Sequence, residues 1–160
     1  MQKVTILCTG KLKEKFYLDA VAEYVKRLNR FCKLEIIELP EERLPEDPSP
    51  AQIEAALSKE ADAVRAKLPN GCLVIAMCVE GRERSSEELA RYLADSAAQG
   101  ASHIVFLIGS SFGMHESLKR QAALRLSMSP MTFPHHLARV MLLEQLYRAY
   151  QINTGGKYHK

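Results

Sequence analysis

Four stretches of the chain have strand character, two of them apolar almost without interruption, and between them apolar residues recur at helical spacing. KVTILC at residues 3–8, the run Lys33 to Leu39, CLVIAMCV at 72–79 and HIVFLIG at 103–109 are each bounded by turn-forming residues. The last two read as central strands of a parallel sheet, where both faces are covered and the polar alternation disappears. After Gly10, Phe16, Ala20, Tyr24 and Leu28 fall at i, i+4 spacing and predict a helix. A second helix is expected over Ala51 to Leu68, stopped by Pro69, Asn70 and Gly71, and a third over Glu87 to Gln99, ended by Gly100. Ser85 or Ser86 would cap the third, with Glu88 completing a capping box.

The C-terminal third predicts a helix from about Glu116 to Arg125, a short strand near Leu126 to Met128, and a last helix over Leu137 to Tyr150. Between Pro40 and Pro50 the prolines and acids indicate a loop. Strands and helices alternating in this way predict an α/β fold with a mostly parallel sheet and helices on both faces. The last helix is unusual, because from Leu137 onward its polar residues are little more than Arg139, Glu144, Gln145 and Arg148. Something besides its own domain is expected to cover it.

With 160 residues, one domain spanning 1–160 is expected. No apolar run approaches the roughly 20 residues of a membrane helix, and the N-terminal order, apolar then lysine-rich, is the reverse of a signal peptide, so a cytoplasmic location is expected. Cys8, Cys72 and Cys78 sit in apolar runs and Cys32 follows a helix, which favours free thiols over disulfides, and the spacing of the cysteines fits no structural metal. A net charge of +3 does not announce nucleic-acid binding. Its distribution matters more: residues 1–33 are basic and residues 41–62 mostly acidic, so the N-terminal third offers either a phosphate-facing surface or a solvated helix face.

In open parallel sheets ligands gather at the carboxyl ends of the strands, which here means the segments after Val79, Ile108 and Met128. GSSFG after Ile108 is a tight turn or a ligand loop; Gly109 and Gly113 can take positive φ, but the run is neither a Walker loop nor a dinucleotide fingerprint. MSPMTFP could hold a ligand edge by backbone groups, or could simply connect strand to helix with Pro134 in the first helical turn. Adjacent His135 and His136 point about 100° apart on a helix and cannot share one metal. The terminal Lys157, Tyr158, His159 and Lys160 suit a phosphate backbone and an unstacked base, or form a frayed end.

HIVFLIGSSFG, then LSMSPMTFPHHLARVMLLEQLYRAYQI, then YHK together resemble the bacterial ribosomal RNA large subunit methyltransferase H family, small members of the SPOUT class. The resemblance runs from ILCTGKLKEKF to the last residue. It implies a SPOUT-like α/β fold with a C-terminal trefoil knot, a homodimer, and transfer of a methyl group from S-adenosylmethionine to nitrogen-3 of a pseudouridine in large-subunit (23S) ribosomal RNA on assembled ribosomes. Carried over by motif, the cofactor contacts are Met77, Gly109, Met128, Ser129, Pro130, Met131, Thr132 and Phe133. Two positions depart from the family pattern, which commonly has leucine at Met77 and a second glycine at Ser110; serine there requires negative φ. Candidates for proton handling or RNA contact are Arg139, His135, Tyr158 and His159, with Arg139 favoured and a structural role for it as the competing reading. A noncatalytic ribosome-binding or assembly factor on the same fold, or a SPOUT enzyme acting on transfer RNA, are the alternatives.

Overall fold

A computed structural model describes residues 1–160. Five strands, β1 (Lys3–Thr9), β2 (Lys33–Leu39), β3 (Leu73–Glu83), β4 (His103–Ile108) and β5 (Leu124–Ser127), form one sheet in the order β2-β1-β4-β3-β5. Every pairing is parallel. Five helices connect them: α1 (Lys15–Leu28), α2 (Pro50–Lys67), α3 (Ser86–Ala98), α4 (Glu116–Gln121) and α5 (His135–Asn153).

The uninterrupted apolar strands are explained by two cores, one on each face. Val4, Ile6 and Cys8 of β1 and Ile104, Phe106 and Ile108 of β4 turn to one face, where they pack with Leu28, Leu93, Leu142, Leu143 and Leu146. Leu7, Val105 and Leu107 turn to the other, against Ala61, Val64 and Leu118. Residues of opposite parity are thus equally buried, and no polar alternation can survive in the sequence. Helix starts follow their chemistry. Ser49 and Ser85 each accept a hydrogen bond from the N–H three residues on, while Gln52 and Glu88 reach back to close capping boxes.

Several boundaries differ from the sequence reading for identifiable reasons. β3 continues past Val79 to Glu83 although GRE is polar, because its second half pairs with β5 through backbone alone. The register shifts between Met77 and Arg82, both of which align with Leu126, so residues 78–81 bulge. Gly81 crosses β5 so closely that a Cβ would stand 2.8 Å from the carbonyl carbon of Arg125. α4 ends at Gln121 and β5 begins at Leu124, earlier than expected. Phe16, expected on the apolar face of α1, is 66% exposed because it lies in the first turn of the helix. α5 begins at His135, with Pro134 as its N-cap rather than inside the first turn.

Much of the cover that α5 needs comes from its own chain, although only Arg139, Leu142, Leu143, Leu146 and Ala149 are fully buried. α5 lies on the sheet between α1 and α3, and no residue from His135 to Ile152 is exposed. Two flanking helices and the sheet shield three sides, so an apolar circumference is satisfied largely within one chain. No helix is long and apolar enough to cross a membrane. All four cysteines are free; Cys8 and Cys32 are buried, and burial pushes their thiols up to about 12 and about 11.

Candidate functional site

At the carboxyl edge of the sheet a cavity of about 790 Å³ opens between the β3 bulge, the turn after β4 and the connection from β5 to α5. Its size is that of a small-molecule site. Met77, Gly109, Met128, Ser129, Met131, Thr132 and Phe133 all line it, whereas Pro130 does not. Three segments about 50 residues apart at most therefore supply one wall each, as adjacent carboxyl ends must in a parallel sheet.

The turn after β4 is built for close backbone approach. The Ser110 N–H donates to the Gly113 carbonyl at 3.0 Å and the Gly113 N–H to the Ser110 carbonyl at 2.9 Å. Gly113 takes φ +93°. Gly109 does not use the positive-φ freedom expected of it; glycine is needed there because a Cβ would collide with the Gly113 carbonyl. Ser110 has negative φ, so its departure from glycine introduces no backbone strain. In the β5–α5 connection the Ser127 hydroxyl donates to the Ser129 carbonyl at 3.0 Å, and the Met131 N–H donates to Ser129 Oγ at 3.0 Å. This fixes the connection and leaves Met131 72% exposed at the rim. Opposite, Glu80 of the bulge pairs with Lys119 of α4, which ties the bulge to the sheet and holds the Glu80 carboxyl below its usual range.

Behind this wall stand two acids that the sequence did not single out. Glu60, 7% exposed on α2, accepts from the Ser110 hydroxyl at 2.6 Å and from the Glu42 N–H at 2.8 Å. Burial pushes its carboxyl above the usual range. Glu38, near the end of β2, accepts through one oxygen from the Leu12 N–H at 2.8 Å and from Arg139 at 2.7 Å. Burial alone would raise Glu38, but the hydrogen bonds from Arg139 and Leu12 outweigh it and hold the carboxyl below the ordinary value. Nothing in a one-dimensional pattern marks either acid, since their partners are 50 and 101 residues away.

Of the four candidates for chemistry, His135 alone lines the cavity. Burial, with help from neighbouring His136, lowers its pKa, so the ring is neutral at pH 7 and can accept a proton. Arg139 is 2% exposed, points at Glu38 and the Gly10 carbonyl, and does not line the cavity. Within one chain it ties α5 to the ends of β1 and β2, while its Nε is buried without a partner. His136 approaches Glu14 at 3.4 Å, away from the lining. Tyr158 and His159 are not frayed; Tyr158 donates to Glu144 at 3.0 Å and stacks edge-on against Tyr147, while His159 bridges Glu87 and Arg148. Neither lines the chain's own cavity.

The fold is similar to that of a probable methylase family protein from Haemophilus influenzae Rd KW20. That likeness has a TM-score of 0.55 at 13% identity, over 99% of this chain and 71% of the other, and concerns the fold. The family model for predicted SPOUT methyltransferases matches residues 2–159, which defines the class. Within that class, the ribosomal RNA large subunit methyltransferases H of Streptococcus uberis and Bifidobacterium adolescentis are each 45% identical over 158 residues, 99% of both chains. The chain belongs to the ribosomal RNA large subunit methyltransferase H family.

Proposed function

We propose that this chain is an S-adenosylmethionine-dependent methyltransferase, one domain over 1–160, that modifies nitrogen-3 of a pseudouridine in large-subunit (23S) ribosomal RNA on the assembled ribosome in the cytoplasm. The observation that carries the reading is the convergence of Met77, Gly109, Met128, Ser129, Met131, Thr132 and Phe133 on one cavity in a chain 45% identical to enzymes of that name. The cavity fits the cofactor: the thioethers of Met77, Met114, Met128 and Met131 line it with other apolar side chains, suited to an adenosine and a methionine chain, and the glycine turn lets a ligand approach the backbone.

S-adenosylmethionine supplies a methyl group made electrophilic by its sulfonium. What remains for the protein is alignment, exclusion of water and the proton of nitrogen-3. Met77 and Met128 would give the apolar contacts, and the amides of the 128–133 connection would orient the ligand. Neutral His135, which lines the cavity, would take the proton, while Arg139 would act by holding α5.

Two further features belong to this proposal. A C-terminal trefoil knot is supported by the bulge at 78–81 and the close crossing of Gly81 over Arg125 and Leu126. A homodimer is supported by the tail: Tyr158 and His159 touch no lining residue of their own cavity, so any part they take in the chemistry would be taken in a partner's. Incubation of 70S ribosomes, free subunits and transfer RNA with labelled cofactor, followed by mass-spectrometric mapping, tests the function. Label at nitrogen-3 of a pseudouridine in large-subunit RNA of 70S ribosomes is expected; label on transfer RNA alone, or on none, would overturn it.

A further inference from the structure

The basic N-terminal third divides in two once folded. Lys26, Arg27, Arg30 and Lys33 lie at the end of α1 and the start of β2, the amino edge of the sheet, and Arg27 is engaged with Glu23, Tyr24 and Tyr147. Lys11, Lys13, Lys15 and Phe16 follow the carboxyl end of β1, the same edge as the cavity. β1 is the direct neighbour of β4, whose end begins the glycine turn. The two sites are also joined physically, because His135, which lines the cavity, sits so close to Gly10 that a Cβ there would be 3.2 Å from its Nε2.

The connection is anchored by one residue. Leu12 is 4% exposed and its N–H is held by Glu38, which Arg139 holds in turn, while Lys11 and Lys13 on either side are exposed. With Leu12 buried between them, both exposed lysines stand at the surface. Lys15 pairs with Asp19 at 2.7 Å, but Lys11 and Lys13 take part in no ion pair. Phe16 follows at 66% exposure, the most exposed aromatic ring of the chain's large hydrophobics. Its ring leans on Tyr17 at 4.3 Å between centroids and keeps the rest of its surface open to a partner.

Two free cations and an aromatic face on a fixed backbone match the chemistry of single-stranded RNA, whose phosphates take lysine and whose unpaired bases stack on aromatic rings. We propose that Lys11, Lys13 and Phe16 form the RNA-docking edge of the site, the lysines on backbone phosphates and the phenylalanine under an unstacked base. The Arg139–Glu38–Leu12 chain of contacts sets the edge in position before RNA arrives, which explains why an arginine is buried at this corner. The inference rests on RNA being the substrate.

The test measures ribosome KM, kcat and cofactor affinity for Lys11→Glu/Lys13→Glu and for Phe16→Ala, with cosedimentation on 70S ribosomes read in parallel. Lys59→Glu/Lys67→Glu on α2 serves as a control with the same change of charge. For the lysine pair, ribosome KM should rise about tenfold or more and its salt slope should fall by about 1.4, one increment of about 0.7 per single-strand phosphate contact. kcat and cofactor affinity should stay within about twofold of wild type, and the α2 control should change none of these, since docking and not chemistry is lost. Phe16→Ala should raise KM with the salt slope unchanged. Equal effects of the α2 control, an unaltered KM, or cofactor affinity lost in proportion would overturn the docking edge. If wild type binds ribosomes through these lysines but transfers no methyl group, the enzymatic reading fails and the edge stands. Should the double reversal unfold the chain, Lys11→Gln/Lys13→Gln gives the same readout with a smaller slope change.

Discussion

Glu38 and Glu60 brace the same edge of the sheet with the same number of hydrogen bonds, yet their carboxyls shift in opposite directions. Each accepts two short bonds, one from a backbone N–H and one from a side chain. For Glu38 the side chain is a guanidinium, and the ionised form prevails over burial. For Glu60 it is a serine hydroxyl, burial prevails, and the charges of Glu41 and Glu42 add to the rise. Hydrogen-bond count does not settle the protonation of these acids; the charge of one donor, the depth of burial and the neighbouring acids together do. The Arg139 corner is therefore an electrostatic joint, whereas the support behind the glycine turn is a neutral-donor joint carrying an acid that burial disfavours.

Arg139→Met should bring the largest change, because it gives Glu38 an environment like that of Glu60. The Gly10 carbonyl loses a donor and Glu38 keeps only the Leu12 N–H. Breaking a fully buried pair costs several kcal/mol, but the Glu38 side chain is 33% exposed, so about 2 kcal/mol is expected from urea unfolding at pH 7. A carboxyl whose folded pKa is depressed stabilises the fold above its ordinary value of 4.5 and loses that contribution as pH falls through the folded value. The gap between wild type and variant should therefore narrow below pH 4.5. A gap independent of pH would show that the arginine acts by packing alone.

This joint was the least legible part of the site. Strands β1, β3 and β4 could be read because strands buried on both faces leave continuous apolar runs. The overrun of β3 to Glu83 could not, since it depends on backbone pairing with β5 and places polar side chains outward. Met77, Gly109 and the 128–133 run were reached through motif resemblance, and all but Pro130 meet at one cavity. For Arg139 the pattern leaves RNA contact and a structural role side by side, because its partner lies 101 residues upstream and only the β2-β1-β4 order brings the two together. The histidine pair was ambiguous for a related reason: helix geometry separates the two rings, but which one meets the cavity depends on the angle at which α5 leaves Pro134.

Ser110→Ala tests the other joint and should have an intermediate effect. It removes the donor at 2.6 Å from a buried carboxylate without altering the backbone of the turn, since Ser110 already has negative φ. A loss of about 1 to 1.5 kcal/mol is expected in urea unfolding, the typical cost of leaving a buried charged acceptor one bond short. Cofactor affinity measured by titration calorimetry should weaken only slightly, because the Ser110 and Gly113 backbone bonds persist. A large loss of affinity with unchanged stability would mean that the hydroxyl faces the ligand rather than Glu60.

Glu60→Gln should have the smallest effect, and its sign makes the comparison sharpest. An amide can donate to Ser110 Oγ and accept from the Glu42 N–H, so both bonds are restored without a charge. Because the folded state raises the Glu60 carboxyl above 4.5, ionisation disfavours the fold. The wild type therefore loses stability as pH rises from the ordinary value through the folded one. The glutamine variant escapes that loss. It should equal wild type below pH 4.5 and exceed it by less than about 1 kcal/mol at pH 7. The matched change Glu38→Gln should go the other way, destabilising at pH 7 and converging with wild type only in acid. If both substitutions destabilise equally at neutral pH, the cationic donor is not what separates the two joints, and the shape of each pocket must be.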